Sequence, residues 1–287
     1  MSLVPEALST VAGILQCPHC DGSVEVAGSS LRCERGHTFD AARHGYVSML
    51  RSEARVDTAD SAAMVEARAA FLGAGHYSFL ADAVAGATDR GPGGGVVVEA
   101  GAGTGYYLAR ALDRHPERAG LALDVSKHAL RRAARVHPRV AAVACDVWGT
   151  FPLRDASAAI VLSVFAPRNP KEMRRVLASD GLLVVVTPTR RHLEELSAPL
   201  GLLEVEERKH ERLAESLDPL FAVDERVECE SSMRLGHDDV LALGAMGPTA
   251  RHSTPEELAS AAARLEYPVL VTASATVTSY RRRAGRA

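Results

Sequence analysis

Short apolar runs, most of them rich in β-branched residues, recur along the chain between polar segments. Val96–Val98 is the clearest of them, because it ends in the acid Glu99 and is followed by alternating glycines. Runs of this length, bounded by glycine or acidic residues, predict buried strands of a parallel sheet. The same pattern predicts strands at Leu121–Asp124, Val140–Ala144, Ala158–Phe165, Leu182–Val186, Val223–Met233 and Val269–Thr278.

Between these strands the apolar residues recur at helical spacing, and cap residues mark where helices begin. Ser126 precedes a helix rich in arginine, Asn169-Pro170 precedes another, and Thr254-Pro255 a third. The helix after Asn169 is predicted to run to Leu177, with Gly181 as the residue that stops it. Further helices are predicted over residues 61–72, 79–88 and from 106 onward. Alternating strands and helices predict a doubly wound α/β domain.

The turn after the first strand, Gly101-Ala102-Gly103-Thr104-Gly105, carries the first candidate chemistry. Glycines bring bare backbone close to a ligand, and the amides of the following helix point at it. The glycine spacing alone fits a dinucleotide site equally well, so the turn is a weak signal by itself. The strands that follow make the prediction of a ligand site more specific, because the next strand ends in Asp124, 19 residues after Gly105.

Acidic residues that close three successive strands resemble the class I S-adenosylmethionine-dependent methyltransferases more than nicotinamide enzymes. The resemblance implies that Gly101, Gly103 and Thr104 lie against the methionine part of the cofactor. It also implies that Asp124 holds the ribose, that Asp146 reaches the adenine, and that Glu99 orients the turn and the methionine amino group. The alternative is a glycine-rich turn in another kind of doubly wound domain.

The N-terminal segment carries the second candidate site. Cys17-Pro18-His19-Cys20 is followed, after twelve residues, by Cys33 and His37. Two knuckles with four such ligands suit the tetrahedral coordination of zinc, and the spacer is long enough for a hairpin. We therefore expect a zinc ribbon held by Cys17, Cys20, Cys33 and His37. The alternatives are unligated thiols, or His19 as the ligand in place of His37.

Composition and charge exclude several classes of protein. The chain has 287 residues, a net charge of −3 and a pI near 6.4. It therefore lacks the overall positive charge that would indicate a nucleic-acid partner. No apolar stretch is long enough to span a membrane and no signal peptide precedes the ribbon, which predicts a cytoplasmic protein.

Residues 14–55 contain five arginines and five acidic residues, so RNA contact there requires the arginines to share one face. The basic tail, Arg281–Arg283 with Arg286, is interpreted as disordered.

A zinc ribbon ahead of a class I methyltransferase resembles one family in particular. With Gly75-His76-Tyr77, Asp146-Val147-Trp148, Phe165-Ala166-Pro167 and Arg191-His192-Leu193, the chain is similar to the 23S rRNA (guanine-N1)-methyltransferases, in their Gram-positive branch that includes the tylosin-resistance enzyme. The resemblance implies methylation of one guanine in a 23S rRNA hairpin at the macrolide site of the exit tunnel, a role in resistance, a homodimer, and zinc modules that help to hold RNA. It also implies zinc at Cys17, Cys20, Cys33 and His37, and cofactor contacts from Tyr77, Gly103, Thr104 and His192.

From the residues alone, His192 is equally a surface histidine at a helix N-terminus, and Tyr77 a core aromatic. The sequence identifies no catalytic base for guanine N1, and the candidates near the fourth strand are Ser163, Asn169, the carbonyls around Ala166-Pro167, and Asp146. The predicted domains are a zinc ribbon over 1–55, a helical connection over 56–95 and a methyltransferase domain over 96–287. Two other functions remain open, a small-molecule methyltransferase of natural-product metabolism and a nonenzymatic RNA-binding protein.

Overall fold

A small antiparallel sheet and a large mixed sheet make up the β-structure of the chain. The computed structural model describes residues 4–202, 216–251 and 253–283. The small sheet contains strands β1 (Val24–Ala27), β2 (Ser30–Cys33) and β3 (Thr38–Asp40), with β2 in the centre. The large sheet contains strands β4 (Tyr46–Ser48), β5 (Val96–Ala100), β6 (Ala119–Asp124), β7 (Val140–Ala144), β8 (Ala158–Val164), β9 (Leu177–Pro188), β10 (Phe221–Leu235) and β11 (Val269–Arg282).

The large sheet is doubly wound, with order β10-β11-β9-β8-β5-β6-β7-β4. All neighbouring strands from β9 to β4 are parallel, whereas β11 runs antiparallel to both β9 and β10. The strand order reverses between β5 and β8, and ligands of open α/β sheets bind at the carboxyl ends of strands near such a point. This topology confirms the predicted fold class, an α/β methyltransferase-like domain preceded by a ribbon.

The helices cover both faces of the large sheet. The structure contains α1 (Glu6–Val11), α2 (Ala62–Gly73), α3 (Ser78–Ala87), α4 (Tyr106–Arg114), α5 (Lys127–Val136), α6 (Pro170–Val176), α7 (Glu194–Leu200), α8 (His237–Met246) and α9 (Pro255–Ala262). Helices α3, α4 and α5 pack on the face that contains Val97 and Ala122, and α1 and α6 pack on the face that contains Val98 and Leu121. Successive strand residues point to opposite faces of the sheet, so strands β5 to β8 are buried on both sides.

The predicted helix starts are present, and the helix after Asn169 ends within one residue of its predicted end, but the prediction that Gly181 stops it is wrong. Ser126 and Asn169 accept hydrogen bonds from the amides of Ala129 and Glu172 (3.3 Å each), as N-caps do. Helix α6 ends at Val176, and the chain enters β9 at once. Gly181 therefore lies inside a strand, where a Cβ would come within 2.7 Å of the Leu177 side chain.

The ribbon is attached to the large sheet by backbone hydrogen bonds that the sequence does not predict. Strand β4 pairs with β7 in parallel, with Tyr46 opposite Ala142, and so forms the edge of the large sheet. Leu15 forms an isolated bridge with Leu153, and the Gln16 amide donates to the Pro152 carbonyl (2.9 Å). Part of the range predicted as a ribbon thus completes the other sheet, while the boundary at residue 55 stays a prediction.

The basic tail is ordered as far as Arg283, so the interpretation of these arginines as disordered is wrong. Arg281 and Arg282 lie in β11 and donate to the carbonyls of Asp180 (2.9 Å) and Leu177 (2.7 Å). Arg283 forms an ion pair with Asp218 (2.7 Å). Arg286 lies outside the described residues. Over the ranges that the structure describes, no helix is long and apolar enough to cross a membrane.

Candidate functional site

The turn between β5 and α4 contains three glycines whose backbone conformations would strain any other residue. Gly101, Gly103 and Gly105 have φ angles of +74°, +54° and +77°. At Gly101 a Cβ would also lie 2.6 Å from the Cβ of Ala166, in the segment after β8. The amides of Gly101 and Ala102 donate to the Leu123 carbonyl (2.8 and 3.0 Å), which fixes the turn against the end of β6. The turn is therefore fixed at the carboxyl edge of the sheet, with Gly101 partly exposed and Gly103 and Thr104 buried.

Asp124 lies beside this turn at the end of β6. Its Oδ2 accepts a hydrogen bond from the Gly103 amide and its Oδ1 accepts one from the Ser126 amide, both at 2.8 Å. Burial raises the pKa of Asp124, although these two bonds act against the shift. Each carboxylate oxygen retains acceptor capacity, so the side chain is held in place and can accept hydroxyl groups of a ligand.

Glu99 is buried at the end of β5, with 1% of its surface exposed. Its carboxylate accepts a hydrogen bond from the Leu108 amide in the first turns of α4 (3.2 Å). Burial raises the pKa of Glu99 to about 8, and the nearby Asp124 adds to the shift. The side chain thus joins the strand to the helix across the glycine turn, while the role that the resemblance implies for it toward a cofactor stays a prediction.

Asp146 follows β7 and is held by two backbone amides. Its carboxylate accepts hydrogen bonds from Arg55 (3.0 Å) and Trp148 (2.9 Å). It lies in a cleft of about 350 Å³ between the segment after β4 and the segment after β7. Residues that line this cleft include Met49, Arg51, Arg55, Trp148 and Thr150. The structure thus places Asp146 in a cleft after β7, and its contact with adenine stays a prediction.

Tyr77 and His192, which are 115 residues apart in sequence, lie in contact. The Oη of Tyr77 and the Nε2 of His192 are 3.2 Å apart, and the Nδ1 of His192 accepts a hydrogen bond from the Ser274 amide (3.2 Å). Because Nδ1 is an acceptor, we place the proton on Nε2, which donates to Tyr77. Burial lowers the pKa of His192 to about 4 and raises the pKa of Tyr77, so both side chains are neutral. Phe165 packs against both rings.

An arginine cluster that the sequence analysis missed lies on the other side of the turn. Arg68 of α2 forms an ion pair with Asp60, and its Nη2 donates to the Met246 carbonyl (2.8 Å). Arg251 also pairs with Asp60 (3.0 Å). The Nη1 of Arg68 lies 3.4 Å from the position that a Cβ on Gly103 would take, so its guanidinium borders the turn. The sequence predicts only the helix over residues 61–72 that contains Arg68, because the proximity of Arg68 to Gly103 depends on tertiary packing.

The four predicted zinc ligands converge at one point of the ribbon. The ligand atoms of Cys17, Cys20, Cys33 and His37 all lie within 4.8 Å of one another. The Nδ1 of His37 is 3.5 Å from the Sγ of Cys17 and 3.3 Å from that of Cys33. These separations fit tetrahedral zinc with bonds of about 2.0 Å to nitrogen and 2.3 Å to sulfur. His19 is outside the cluster and stacks on Phe39.

The structure gives different surroundings to the candidate proton acceptors. Asn169 caps α6 through Oδ1, and its Nδ2 donates to the carbonyls of Trp148 and Gly149 (3.0 Å each). The Oγ of Ser163 is fully buried and has no hydrogen-bond partner among the described residues. Ser163 is therefore not presented to a substrate that enters from solvent, and the half-buried amide of Asn169 already has hydrogen-bond partners at both its oxygen and its nitrogen.

Comparisons with known proteins match both parts of the chain. The zinc-ribbon family described as "RlmA, N-terminal" matches residues 15–54, and a methyltransferase domain family matches residues 97–181. The 23S rRNA (guanine(748)-N(1))-methyltransferase of Streptomyces fradiae is 48% identical over 271 residues, which cover 93% of this chain and 96% of that protein. A Micromonospora griseorubida protein assigned as a 23S rRNA (guanine-N(1)-)-methyltransferase is 46% identical and covers 93% of this chain and 97% of its own length. Among solved structures, the YcgJ protein of Bacillus subtilis matches with a TM-score of 0.49 at 15% identity, over 73% of this chain and 100% of that one.

Proposed function

Because the chain belongs to the family of 23S rRNA (guanine-N1)-methyltransferases, we propose that it methylates one guanine in the 23S rRNA hairpin at the macrolide-binding part of the peptide exit tunnel. Membership of the family makes it an S-adenosylmethionine-dependent rRNA methyltransferase with a zinc ribbon. The observation that carries the finer proposal is the 48% identity, over nearly the whole length of both chains, to an enzyme named for guanine 748.

The residues around the glycine turn fit S-adenosylmethionine. Gly101 has no side chain and is partly exposed, so a ligand can approach its backbone where the methionine part of the cofactor is expected. In this proposal Gly101, Gly103 and Thr104 lie against that part, Asp124 accepts the ribose hydroxyls, and Asp146 binds the adenine. The remaining acceptor capacity of the Asp124 oxygens supports its role.

The charged ends of the methionine part are assigned to residues on either side of the turn. Glu99 orients the amino group, as the sequence predicts, and ionises when that cation is bound. Arg68, beside Gly103, binds the carboxylate, because a guanidinium presents donors in the geometry that a carboxylate accepts. Tyr77 and His192 close the site as neutral hydrogen-bonding groups.

The chain acts mainly by alignment. When bound, S-adenosylmethionine supplies a methyl group on its sulfonium sulfur, and guanine N1 receives that group as the N1 proton leaves, so that S-adenosylhomocysteine remains. The target guanine must leave its hairpin stack before N1 can reach this site. The ordered turn, with its backbone anchored to Leu123, holds the methyl donor in a fixed direction.

The zinc ribbon is proposed to help hold the RNA, as part of a homodimer that works with ribosomal RNA in the cytoplasm. Zinc would be bound by Cys17, Cys20, Cys33 and His37 and would stabilise a segment too small to fold by burial alone. Methylation at the macrolide site would confer resistance to tylosin-type macrolides. Light scattering would test the dimer, and the growth of a sensitive host in tylosin would test resistance.

Primer extension is the decisive test of the target. Unmodified 23S rRNA is incubated with the protein and S-adenosylmethionine, and reverse transcription is then run across the macrolide-site hairpin. We expect a new stop at one guanine, because a methyl group on N1 blocks base pairing. If the protein binds cofactor and no stop is found, the hairpin proposal fails and a small-molecule acceptor is the next candidate. An Asp124→Ala variant serves as the matched cofactor-site control.

A further inference from the structure

Phe165 is an exposed aromatic residue at the carboxyl end of β8, in a backbone conformation that bulky side chains rarely adopt. Its φ angle is +49° and 38% of its surface is exposed, whereas every residue of β8 is buried. Its amide donates to the Val186 carbonyl (3.3 Å), which ties it to β9. The next residue, Ala166, lies directly under Gly101. Phe165 therefore stands beside the glycine turn, and strain of this kind persists where surrounding structure enforces it.

The ring of Phe165 is supported by the buried ring of Tyr77 and the half-buried ring of His192. Its centroid lies 5.5 Å from that of His192, with 32° between the planes, and 6.3 Å from that of Tyr77. The hydrogen bond between Tyr77 and His192 and the bond from Ser274 to His192 fix the supporting pair. Phe165 thus forms a neutral aromatic surface with one side supported and part of its area open to solvent.

Few exposed side chains share these properties. Among the large hydrophobic residues that are exposed in the described ranges, two are aromatic, Phe165 and Trp148. Trp148 lines the cleft beside Asp146, at the end of β7, whereas Phe165 adjoins the turn assigned to the methionine part of the cofactor. An aromatic platform at that position suits a planar base whose reacting edge must face the methyl group.

We propose that the target guanine, once it has left its hairpin stack, stacks on the exposed ring of Phe165. This inference rests on the proposed RNA methylation and goes beyond it by assigning the base-binding subsite. Stacking replaces the interactions that the base loses on leaving the hairpin, and it orients the ring so that N1 points toward the glycine turn. Phe165 is thus a positioning residue for the substrate.

The test compares two substitutions at this position in the full-length protein. Phe165→Tyr keeps an aromatic ring, whereas Phe165→Leu keeps an apolar side chain without one. Single-turnover methylation of the 23S rRNA hairpin is measured, together with the fluorescence of 2-aminopurine in place of the target guanine and the affinity for S-adenosylhomocysteine. Loss of the ring should lower the methylation efficiency roughly 5- to 150-fold, as expected for one base stack, and suppress the fluorescence change. Phe165→Tyr should stay close to wild type, and both variants should bind S-adenosylhomocysteine normally.

Trp148→Leu tests the other exposed aromatic ring at a strand end, which lines the cleft assigned to adenine and is the competing candidate for a base platform. It should leave the 2-aminopurine signal in place. The inference is overturned if Phe165→Leu methylates and unstacks the base like wild type, if Trp148→Leu abolishes the signal instead, or if Phe165→Leu loses cofactor affinity as strongly as activity. Failure of the wild-type protein to methylate the hairpin would contradict the proposed function itself, which is a separate outcome.

Discussion

At the scale of the residue, the carboxyl group of Glu99 links ionisation to stability. Burial raises its pKa to about 8 from an ordinary value near 4.5. The unfolded chain ionises Glu99 near the ordinary value, so the folded chain holds an additional proton between these two values. The stability that the protonated carboxyl provides is therefore complete below about pH 4.5 and is lost as the pH rises through about 8.

We expect Glu99→Gln to remove this dependence on pH. The amide cannot ionise, so the free energy of unfolding of the wild type should fall relative to that of the variant between about pH 4.5 and about pH 8. Urea denaturation of both proteins without cofactor, at several pH values, measures the difference. Parallel stability curves across that range would show that Glu99 has an ordinary pKa in the folded chain.

Arg68→Met should weaken binding of S-adenosylhomocysteine roughly tenfold or more, since a hydrogen bond to a charged group contributes about 1.5–3 kcal/mol. It should leave binding of 5′-methylthioadenosine unchanged, because that compound has no carboxylate. Calorimetry on both ligands separates the two effects. Arg110→Met is the control, since Arg110 is also paired with an aspartate, Asp82, but is exposed on α4. Equal losses for both ligands would assign Arg68 to the structure of the site and not to carboxylate binding.

The sequence predicts site residues best where the backbone itself is diagnostic. Gly101 and Asp124 could be placed because tight turns and strand ends leave local signals. The contact between Tyr77 and His192 joins segments 115 residues apart, and nothing local in either segment specifies it. Phe165 was assigned to a strand, since its apolar character continues β8, and its positive φ has no sequence signal in a residue other than glycine.

At the scale of the element, the ribbon has two kinds of support. Its tip contains the metal cluster, whereas Leu15, Val24 and Leu31 belong to the same buried core as Val143 and Leu153 of the large domain. Metal coordination therefore determines the fold of β1–β3, while the attachment of the ribbon depends on apolar contacts and on β4. Loss of metal should affect the tip first.

Removal of zinc by chelation, or Cys17→Ser combined with Cys20→Ser, should abolish RNA methylation and leave the affinity for S-adenosylhomocysteine within about tenfold of wild type. The expected reason is that β4 and the bond from Arg55 to Asp146 lie beyond the metal cluster. Filter binding of RNA and calorimetry of the cofactor measure the two effects. Cys229→Ser, in β10 and outside the cluster, is the control. Equal losses of both activities would contradict this division.

Strand β4 shows why part of the fold could not be predicted. It is only three residues long, Tyr46–Ser48, and so carries no measurable alternation. Its place at the edge of the sheet depends on β7, which is distant in sequence. Strands β5 to β9, in contrast, are apolar, and the helices that precede β7 and β9 begin at capping residues, so these features are local.

At the scale of the whole molecule, the N-terminal segment is a structural part of the large domain. Leu8, Val11 and Leu15 are fully buried, and each contributes roughly 1.5–3 kcal/mol through burial. A chain that begins at residue 56 should therefore unfold at a clearly lower urea concentration than the full chain and aggregate through the uncovered edge of β7. The double serine variant, which keeps β4, is the control. A truncated chain with unchanged stability would show that the ribbon is a detachable module.

The position of β4 also bears on how the chain is made. Tyr46 leaves the ribosome about 100 residues ahead of its partner Ala142, which at about 5–20 residues per second is an interval of roughly 5–20 s. When β7 emerges, strand β4, which covers its outer edge, has therefore already been synthesised. The nascent protein can therefore pair the outer edge of β7 with β4 as soon as β7 is available. Pairing of that edge with a strand of another chain is thereby disfavoured during synthesis.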